Sequence, residues 1–505
     1  MSSRLLFLPL LALIGAATLP ATRSQAQTEE PTTTQEASAE DLPVEEESAS
    51  ELTDELTDSS EPVRLSFSDT LEAAEAGEAE AQWRLAQMYQ EGALAPVSLT
   101  QAERWYRSAA EQNHLPALRD LAQFLMATSQ ETSRFDEGIG FLEKGADLGD
   151  TAAMVRLGQI YLNGVGRDRD TALAKKWFEQ GRELGDPDAV LYLGLMRAEG
   201  VGMEKDAEKS LQEITQAAEK GSVLAVQHLA NIYLNGTGVE ADEAEARKWL
   251  EKGSELDSAQ SLIALALLEE RQEPADYESA VAHLERAARL GSATALNKLG
   301  YYYQNGLHVS KDEEQALAHF REAAEIGLPV AMFNVGVFLD NGLGTERNAS
   351  QASEWIQAAG LAGYVPAQTE MGRRYRDGDG VLRDPLAAAA WFDRGAQSGD
   401  ANSMYNLAVA LETGQGMQTD LEQAIALYRS AAEGGQVRAQ ARLAYFLSEG
   451  LGVEPDLALA YELASRGAEI SPESKQLMEA IEPRLTAKDR ERLEELRKNR
   501  PSQGP

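Results

Sequence analysis

The chain repeats itself every 36 residues. The stretch from Asp150 to Gly185, DTAAMVRLGQIYLNGVGRDRDTALAKKWFEQGRELG, falls on its own image when shifted by that length. One position counts the copies: Leu85, Leu121, Leu157, Leu193, Leu229, Ile263, Leu299, Val335, Met371, Leu407 and Leu443, each a large apolar residue followed by Gly or Ala. Every interval is 36 except the 34 between Leu229 and Ile263. Independent globules do not keep register through eleven copies; a fixed period of this size means stacked helical or strand units that share a core with their neighbours.

Within the unit, Ala153, Leu157 and Tyr161 stand at i, i+4 and i+8, one face of a helix, and Gly164 follows where that helix should stop. This is helix A. After the loop VGRDRD, a second pattern of Ala172, Trp177 and Gly181 runs to Gly185 and defines helix B. The position after Leu157 stays small, as Gly158, Gly194, Gly300, Gly336 and Gly372 or as Ala86, Ala122, Ala230, Ala264, Ala408 and Ala444, which suits close helix packing. No strand pattern competes, so the fold class is all-α.

At these residues the chain resembles the Sel1-like repeat family, helical-hairpin relatives of tetratricopeptide repeats. The shared pattern is roughly A-x3-L-G-x2-Y-x2-G-x-G-V, then A-x2-W-x3-A, then a final Gly, and it covers about residues 77 to 470. The resemblance implies an α/α solenoid, a right-handed superhelix of about eleven 36-residue hairpins whose concave face holds other proteins. Bacterial members of the family often serve as adaptors in envelope assembly, polysaccharide export, signalling or host contact, and by resemblance any of these is open. Some members staple their hairpins with disulfides; this chain has no Cys, which excludes disulfides and thiol catalysis together.

In chain order, residues 1–26 have an early Arg4, an apolar run from Leu5 to Leu19 and small residues at Ser24 and Ala26, and read as a secretory signal peptide. Residues 27–63 hold thirteen acidic residues and no basic ones, too little apolar surface to offset the entropy of ordering. That segment is expected to be a disordered, solubilising spacer rather than an acidic ligand. Residues 64–470 are the solenoid, and 471–505 form capping helices and a tail, with Leu477 and Ile481 closing the last hairpin and Thr486 capping a charged helix that carries Leu493 and Leu496. The formal charge is −37; without Arg4 and Arg23 it is −39, and the thirteen acids of the spacer leave −26 on the rest. Such a balance argues against nucleic acid and points to a protein partner with basic patches. No integral span is expected after signal cleavage, and export to the periplasm, or to the surface or medium, is the expected localisation.

Two repeats depart from the pattern. The second has MATSQETSRFDEG in place of the loop glycines and is expected to be a distorted hairpin. The sixth, two residues short with Pro274 in its loop, reads either as a break between repeats 1–5 and 7–11 or simply as a shorter turn.

With the large apolar position taken as zero, minus 1, plus 2 and plus 6 form a stripe beside the core face and are the candidate groove lining. From this stripe come the candidate binding residues Arg84, Arg156, His228, Lys298, Tyr301, Arg373, Arg442 and Tyr445, because Arg and Tyr combine contact area with directional bonds. Asn163, Asn235, Asn305 and Asn341 at plus 6 are expected to cap their own helices. The aromatics Trp105, Phe141, Trp177, Trp249, Trp355 and Trp391 share one helix B position and read as packing between hairpins, while Trp83, outside that register, is expected to cover the open N-terminal end.

Signals for chemistry are thin. His283 and His319 lie 36 apart and could neighbour each other as a metal pair, but they stand where other repeats place the packing Trp, so a packing role is the reading and no metal or cofactor is expected. Glu370 and Asp377, seven apart on one face, are the nearest thing to a glycosidase carboxylate pair, an arrangement too common to carry weight. The sequence therefore predicts a non-catalytic binding scaffold in the cell envelope, with a secreted host-binding protein as the alternative.

Overall fold

A computed structural model describes residues 66–92, 96–128 and 132–498. The expectations for the signal peptide, the acidic spacer and the last residues of the tail lie outside the described residues. What is described is helical throughout, apart from connecting turns.

The A helices of the eleven repeats are α2 (Ala79–Glu91), α4 (Leu115–Thr128), α6 (Thr151–Asn163), α8 (Pro187–Glu199), α10 (Val223–Asn235), α12 (Ala259–Glu270), α14 (Ala293–Asn305), α16 (Pro329–Asn341), α18 (Val365–Asp377), α20 (Ala401–Thr413) and α22 (Val437–Glu449). Their B partners are α3 (Leu99–Glu111), α5 (Thr132–Asp147), α7 (Thr171–Glu183), α9 (Ala207–Glu219), α11 (Glu243–Glu255), α13 (Tyr277–Arg289), α15 (Glu313–Glu325), α17 (Ala349–Leu361), α19 (Pro385–Gln397), α21 (Leu421–Glu433) and α23 (Leu457–Gly467). A leading helix α1 (Phe67–Glu75) precedes them, and α24 (Pro472–Ile481) and α25 (Ala487–Lys498) follow.

Each helix starts and stops for a local reason. Helix A of the third repeat begins at Asp150, whose carboxylate accepts from the Ala153 amide, and ends at Gly164, whose φ of 67° lets its N–H return to the Ile160 carbonyl. Asp fills the N-cap again at Asp170, Asp186, Asp206, Asp276, Asp312, Asp384, Asp400, Asp420 and Asp456, in every case accepting a helix amide. A share of the acidic excess is thus helix-starting chemistry, also favoured by the positive end of the helix dipole.

The counted apolar position is buried in all eleven repeats, from Leu85 to Leu443. The small residue after it makes room for helix B of the same hairpin. A Cβ built on Gly158 would lie 2.4 Å from the ring of Phe178, and one on Gly336 would lie 2.4 Å from Ile356. The residue one past the Trp position therefore fills the seam of each hairpin, and Trp itself packs outward: Trp391 rests on Gly360 of the preceding helix B. The second glycine of the loop has a different task. A Cβ on Gly416 would meet the Pro385 carbonyl oxygen at 2.0 Å, so this loop presses against the start of α19, one repeat back.

The chain divides into two compact units, one through Trp249 and one from Leu250, with the boundary inside α11 and ahead of the shortened sixth repeat. In the first unit, α1 packs on α2 and Phe67 meets the Tyr89 ring edge-on at 5.7 Å. This helix flanks the first repeat, and Trp83 does not: its indole N–H donates to Asp120 at 2.7 Å, one repeat onward, because a half-buried indole needs an acceptor and Asp120 supplies it. The second repeat departs from the common hairpin, as its loop suggested. Helix α5 is extended to sixteen residues and only residues 129–131 separate it from α4, so helix replaces the missing glycine loop.

In the second unit, the sixth repeat is an ordinary hairpin of α12 and α13 with a short turn. At the C-terminal end Ile481 is buried, Leu477 packs against the same core, and Thr486 and Asp489 cap α25 reciprocally. Helix α25 folds back on α23, with Leu493 buried, Arg492 bound to Asp456 at 2.7 Å and Arg497 bound to the buried Glu462 at 3.3 Å. Leu496 is half-buried.

Candidate functional site

Neighbouring A helices join hands along their exposed face. The residue at minus 1 of one helix meets the minus 2, plus 2, plus 5 or plus 7 residue of the helix before it. In the first unit, Gln159 donates to the Tyr192 hydroxyl at 2.6 Å, and Trp83 and Gln87 both donate to Asp120. In the second unit Lys298 pairs with Glu270 at 2.8 Å, Asn334 donates to Asn297 at 2.9 Å, Arg376 donates to Asn406 at 3.2 Å, and Arg442 pairs with Glu412. The row is a polar surface whose side chains are held in place by one another.

Among the eight candidates, the charges are largely answered within the chain. Arg84 pairs with Glu80 at 2.8 Å, Lys298 with Glu270, Arg373 with Glu370 at 2.5 Å, and Arg442 with Glu412. Arg156 is exposed and donates to the Gln159 side-chain oxygen at 3.5 Å. His228 is half-buried, and burial holds its imidazole below the ordinary value, toward the neutral form at neutral pH. Tyr301 is half-buried, and Tyr445 is exposed beneath the Arg442 guanidinium, 5.1 Å from its ring centre. The structure brings together Arg442 with Tyr445; Arg84, Arg156 and His228 stand on alternate repeats of the first unit.

Two clefts open on this face at candidate residues. One, of about 210 Å³, lies between the second and third repeats and is lined by Arg119, Asp120, Gln123 and Arg156. The other, of about 440 Å³, lies at the end of the second unit among Tyr405, Arg438, Arg442, Tyr445, Glu473 and Leu477.

Asn235, Asn305 and Asn341 each donate to the carbonyl four residues back, so they close their own helices. The two spaced histidines have separate partners on their own hairpins: His283 bonds Glu269 at 2.9 Å, and His319 stacks on Tyr303 at 5.4 Å. Among the described residues no group of three or more His, Cys, Asp or Glu is arranged to hold a metal ion. Glu370 is bound by Arg373 and Arg374, with burial raising its carboxyl above the ordinary range, while the Arg376 guanidinium holds Asp377 below it.

Sequence reasoning missed Arg374. It stands at plus 3, where other repeats place Ile160, Phe338 or Phe446, and it is only 2% exposed. Its guanidinium donates to Ser353 at 2.9 Å and to Asp340 at 2.7 Å, tying the ninth repeat to both helices of the eighth. An Arg at a position that the period marks as apolar was the available signal.

Comparison with known proteins fits this geometry. The family model described as Sel1 repeat matches residues 79–114, 151–186, 187–222, 224–258, 257–292, 293–328, 329–364, 365–400, 401–436 and 437–470. The chain belongs to the Sel1 repeat family. The second hairpin, with its helical extension in place of the glycine loop, falls between the first two matches. Sel1 repeat proteins serve as protein–protein interaction scaffolds and are typically non-catalytic. A crystal structure of a protective antigen of uropathogenic Escherichia coli, described as an SLR fold, is 27% identical over 88% of this chain and 99% of that one, with a TM-score of 0.50. A Sel1 repeat protein from Oxalobacter formigenes is 28% identical over 68% of this chain and 90% of that one, with a TM-score of 0.39. An uncharacterized protein of Neisseria meningitidis serogroup B is 32% identical over 20% of this chain, and the match spans 21% of that relative. Among the described residues no helix is long and apolar enough to cross a membrane.

Proposed function

We propose that this Sel1 repeat protein is an exported scaffold of the bacterial cell envelope that holds a protein partner along the exposed face of its A helices. One observation carries the reading: the side chains of that face are fixed by bonds between successive helices, as in Gln159 to Tyr192 and Arg442 to Glu412. A surface already ordered loses little entropy on binding, so modest contacts from several repeats add up. The leader-like residues 1–26 support export, and the net charge of −37 supports a partner with basic patches, bound more weakly as salt rises.

The test is capture from a periplasmic extract by the chain from Gln27 onward, beside a variant with Arg84, Arg156, Tyr301 and Arg442 changed to Ala. Circular dichroism confirms that both are helical. One protein held by the native chain and lost by the variant is the expected result; equal capture by both would place the binding surface elsewhere. A second reading, a surface or secreted protein that binds a host molecule, draws on the likeness to the uropathogenic antigen over nearly its whole length. Fractionation separates the two: recovery in the periplasm supports the first, recovery outside the cell the second.

A further inference from the structure

The C-terminal end of the A-helix face differs from the rest in charge and in shape. Residues 437–498 carry ten Lys or Arg against twelve Asp or Glu, close to balance in a chain whose net charge is −37. Here α24 takes the place that a twelfth A helix would hold, packing on α23 and α22. Between α20, α22 and α24 lies the cleft of about 440 Å³.

Its walls are built rather than incidental. Arg442 is held from behind, since Glu412 accepts from its Nε at 3.0 Å and pairs with its Nη2, and Tyr428 donates to the same carboxylate at 2.7 Å. Its guanidinium also lies over the Tyr445 and Phe446 rings, at 5.1 and 5.0 Å. With one edge bound, the two Nη1 hydrogens and the second Nη2 hydrogen are the donors left for a ligand. One turn earlier on the same helix, Arg438 is exposed and has no carboxylate partner among the described residues. Tyr405, packed on Tyr428 at 5.8 Å, and Leu477 supply apolar walls, and Glu473, capped by the Ser471 hydroxyl, stands across from the two arginines.

We propose that this cleft anchors the partner by one acidic residue, held between Arg438 and Arg442, with the adjoining apolar side chain lying on Tyr405, Tyr445 and Leu477. A planar guanidinium fixed at one edge presents its remaining donors to a carboxylate with little further loss of freedom. Glu473 sets the polarity of the segment, because it repels a second acid and accepts from a backbone amide or a basic side chain. The partner thus carries an isolated acid within a basic contact surface, and the basic remainder faces the acid-rich body. The inference rests on the reading of the A-helix face as the binding surface and names what the end of that face selects.

The experiment uses the chain from Gln27 onward and three fluorescein-labelled peptides: Lys-Ser-Leu-Glu-Lys-Ser, the same peptide with Gln for Glu, and the same with Glu for both Lys. Fluorescence anisotropy reads binding to the native chain and to R438E, Y445A and K176A variants, Lys176 being an exposed side chain on α7. The first peptide should bind, lose at least about tenfold in affinity with R438E and with Y445A, and be unchanged with K176A, while the Gln form binds at least about tenfold more weakly. R438Q, which removes charge without reversing it, should fall between. Equal binding of the Glu and Gln peptides, or full binding to R438E, would overturn the cleft; so would absence of binding up to about 1 mM. If the captured periplasmic partner is still lost on changing Arg84, Arg156 and Tyr301 alone, the face reading stands without the cleft. If that partner is lost with R438E alone, the cleft is its anchor.

Discussion

At the scale of single residues, the hairpin seam sets the strictest demand. Gly158 and Gly140 are both helical, but a Cβ on Gly158 would meet the Phe178 ring at 2.4 Å, whereas one on Gly140 would meet nothing within 4 Å. The same substitution should therefore act in opposite directions. G158A is expected to destabilise the chain by about 1–3 kcal/mol through overpacking, while G140A should gain about 0.5–1 kcal/mol from lower unfolded-state entropy, both read as shifts in the denaturation midpoint. Arg374 makes the second prediction. Its partner Asp340 removed as D340A takes the nearer carboxylate from the buried guanidinium, leaves Glu370 at 3.3 Å, and should cost about 1–3 kcal/mol, whereas replacing both by apolar residues, as D340L with R374M, should recover most of that loss. These two cases mark what could be read in advance. The small position at Gly158 was visible because it recurs at the period. The partner of Arg374 was not, because Asp340 lies 34 residues away and only packing decides which side chains of neighbouring repeats meet. For the same reason the sequence offered Lys298 and Arg442 as charged candidates without showing that each faces a Glu of the repeat before it, whereas Glu80 and Glu370, one turn from Arg84 and Arg373 on the same helices, were there to be read.

At the scale of elements, helix ends and lengths were legible and helix neighbours only partly so. Gly164 stops α6 where the pattern placed the stop, and most side-chain caps are Asp, Ser or Asn, with Gln436 capping α22. The extension of α5 was not legible, since losing the loop glycines could mean disorder or more helix, and the stacking of α5 on α4 decided for helix. The tie between α20 and α22 gives a prediction in pH. Burial alone would raise the Glu412 carboxyl, but hydrogen bonds from Arg442 and Tyr428 outweigh it and hold the group below the usual range. The unfolded chain therefore takes up this proton first as pH falls. Stabilisation from the pair is complete above the ordinary Glu value of about 4.3 and is lost as pH drops through the lower folded value. E412Q should be less stable than the native chain at pH 7, and the gap should close below about pH 4. Thermal melts at pH 7 and pH 3.5 check it, and a gap of equal size at both would show that the loss is one of packing rather than charge.

At the scale of the whole molecule, stacked repeats touch their neighbours and little else, so damage should stay near where it is made. The C-terminal end is the place to test this, because what closes it is short and separable. Helix α25 shields the end of the second unit through one buried side chain, Leu493, and through two arginines that reach back to Asp456 and to the buried Glu462. Ending the chain at Leu485 removes all three contacts, and Glu462 keeps its pairing with Arg466. Exposing the Leu493 contact forfeits roughly 1.5–3 kcal/mol, and the lost charge partner adds to it. The expected outcome is faster amide exchange in α22, α23 and α24, fading over the next repeat or two, with exchange in the first unit unchanged. A loss of protection spread evenly from α2 to α24 would mean that the repeats unfold as one cooperative body, and the sum of neighbour contacts would not describe this protein. If protection falls only at the end, the acidic-residue cleft beside α24 should weaken with it, while contacts along the first unit persist, because nothing in a stacked array carries the disturbance that far.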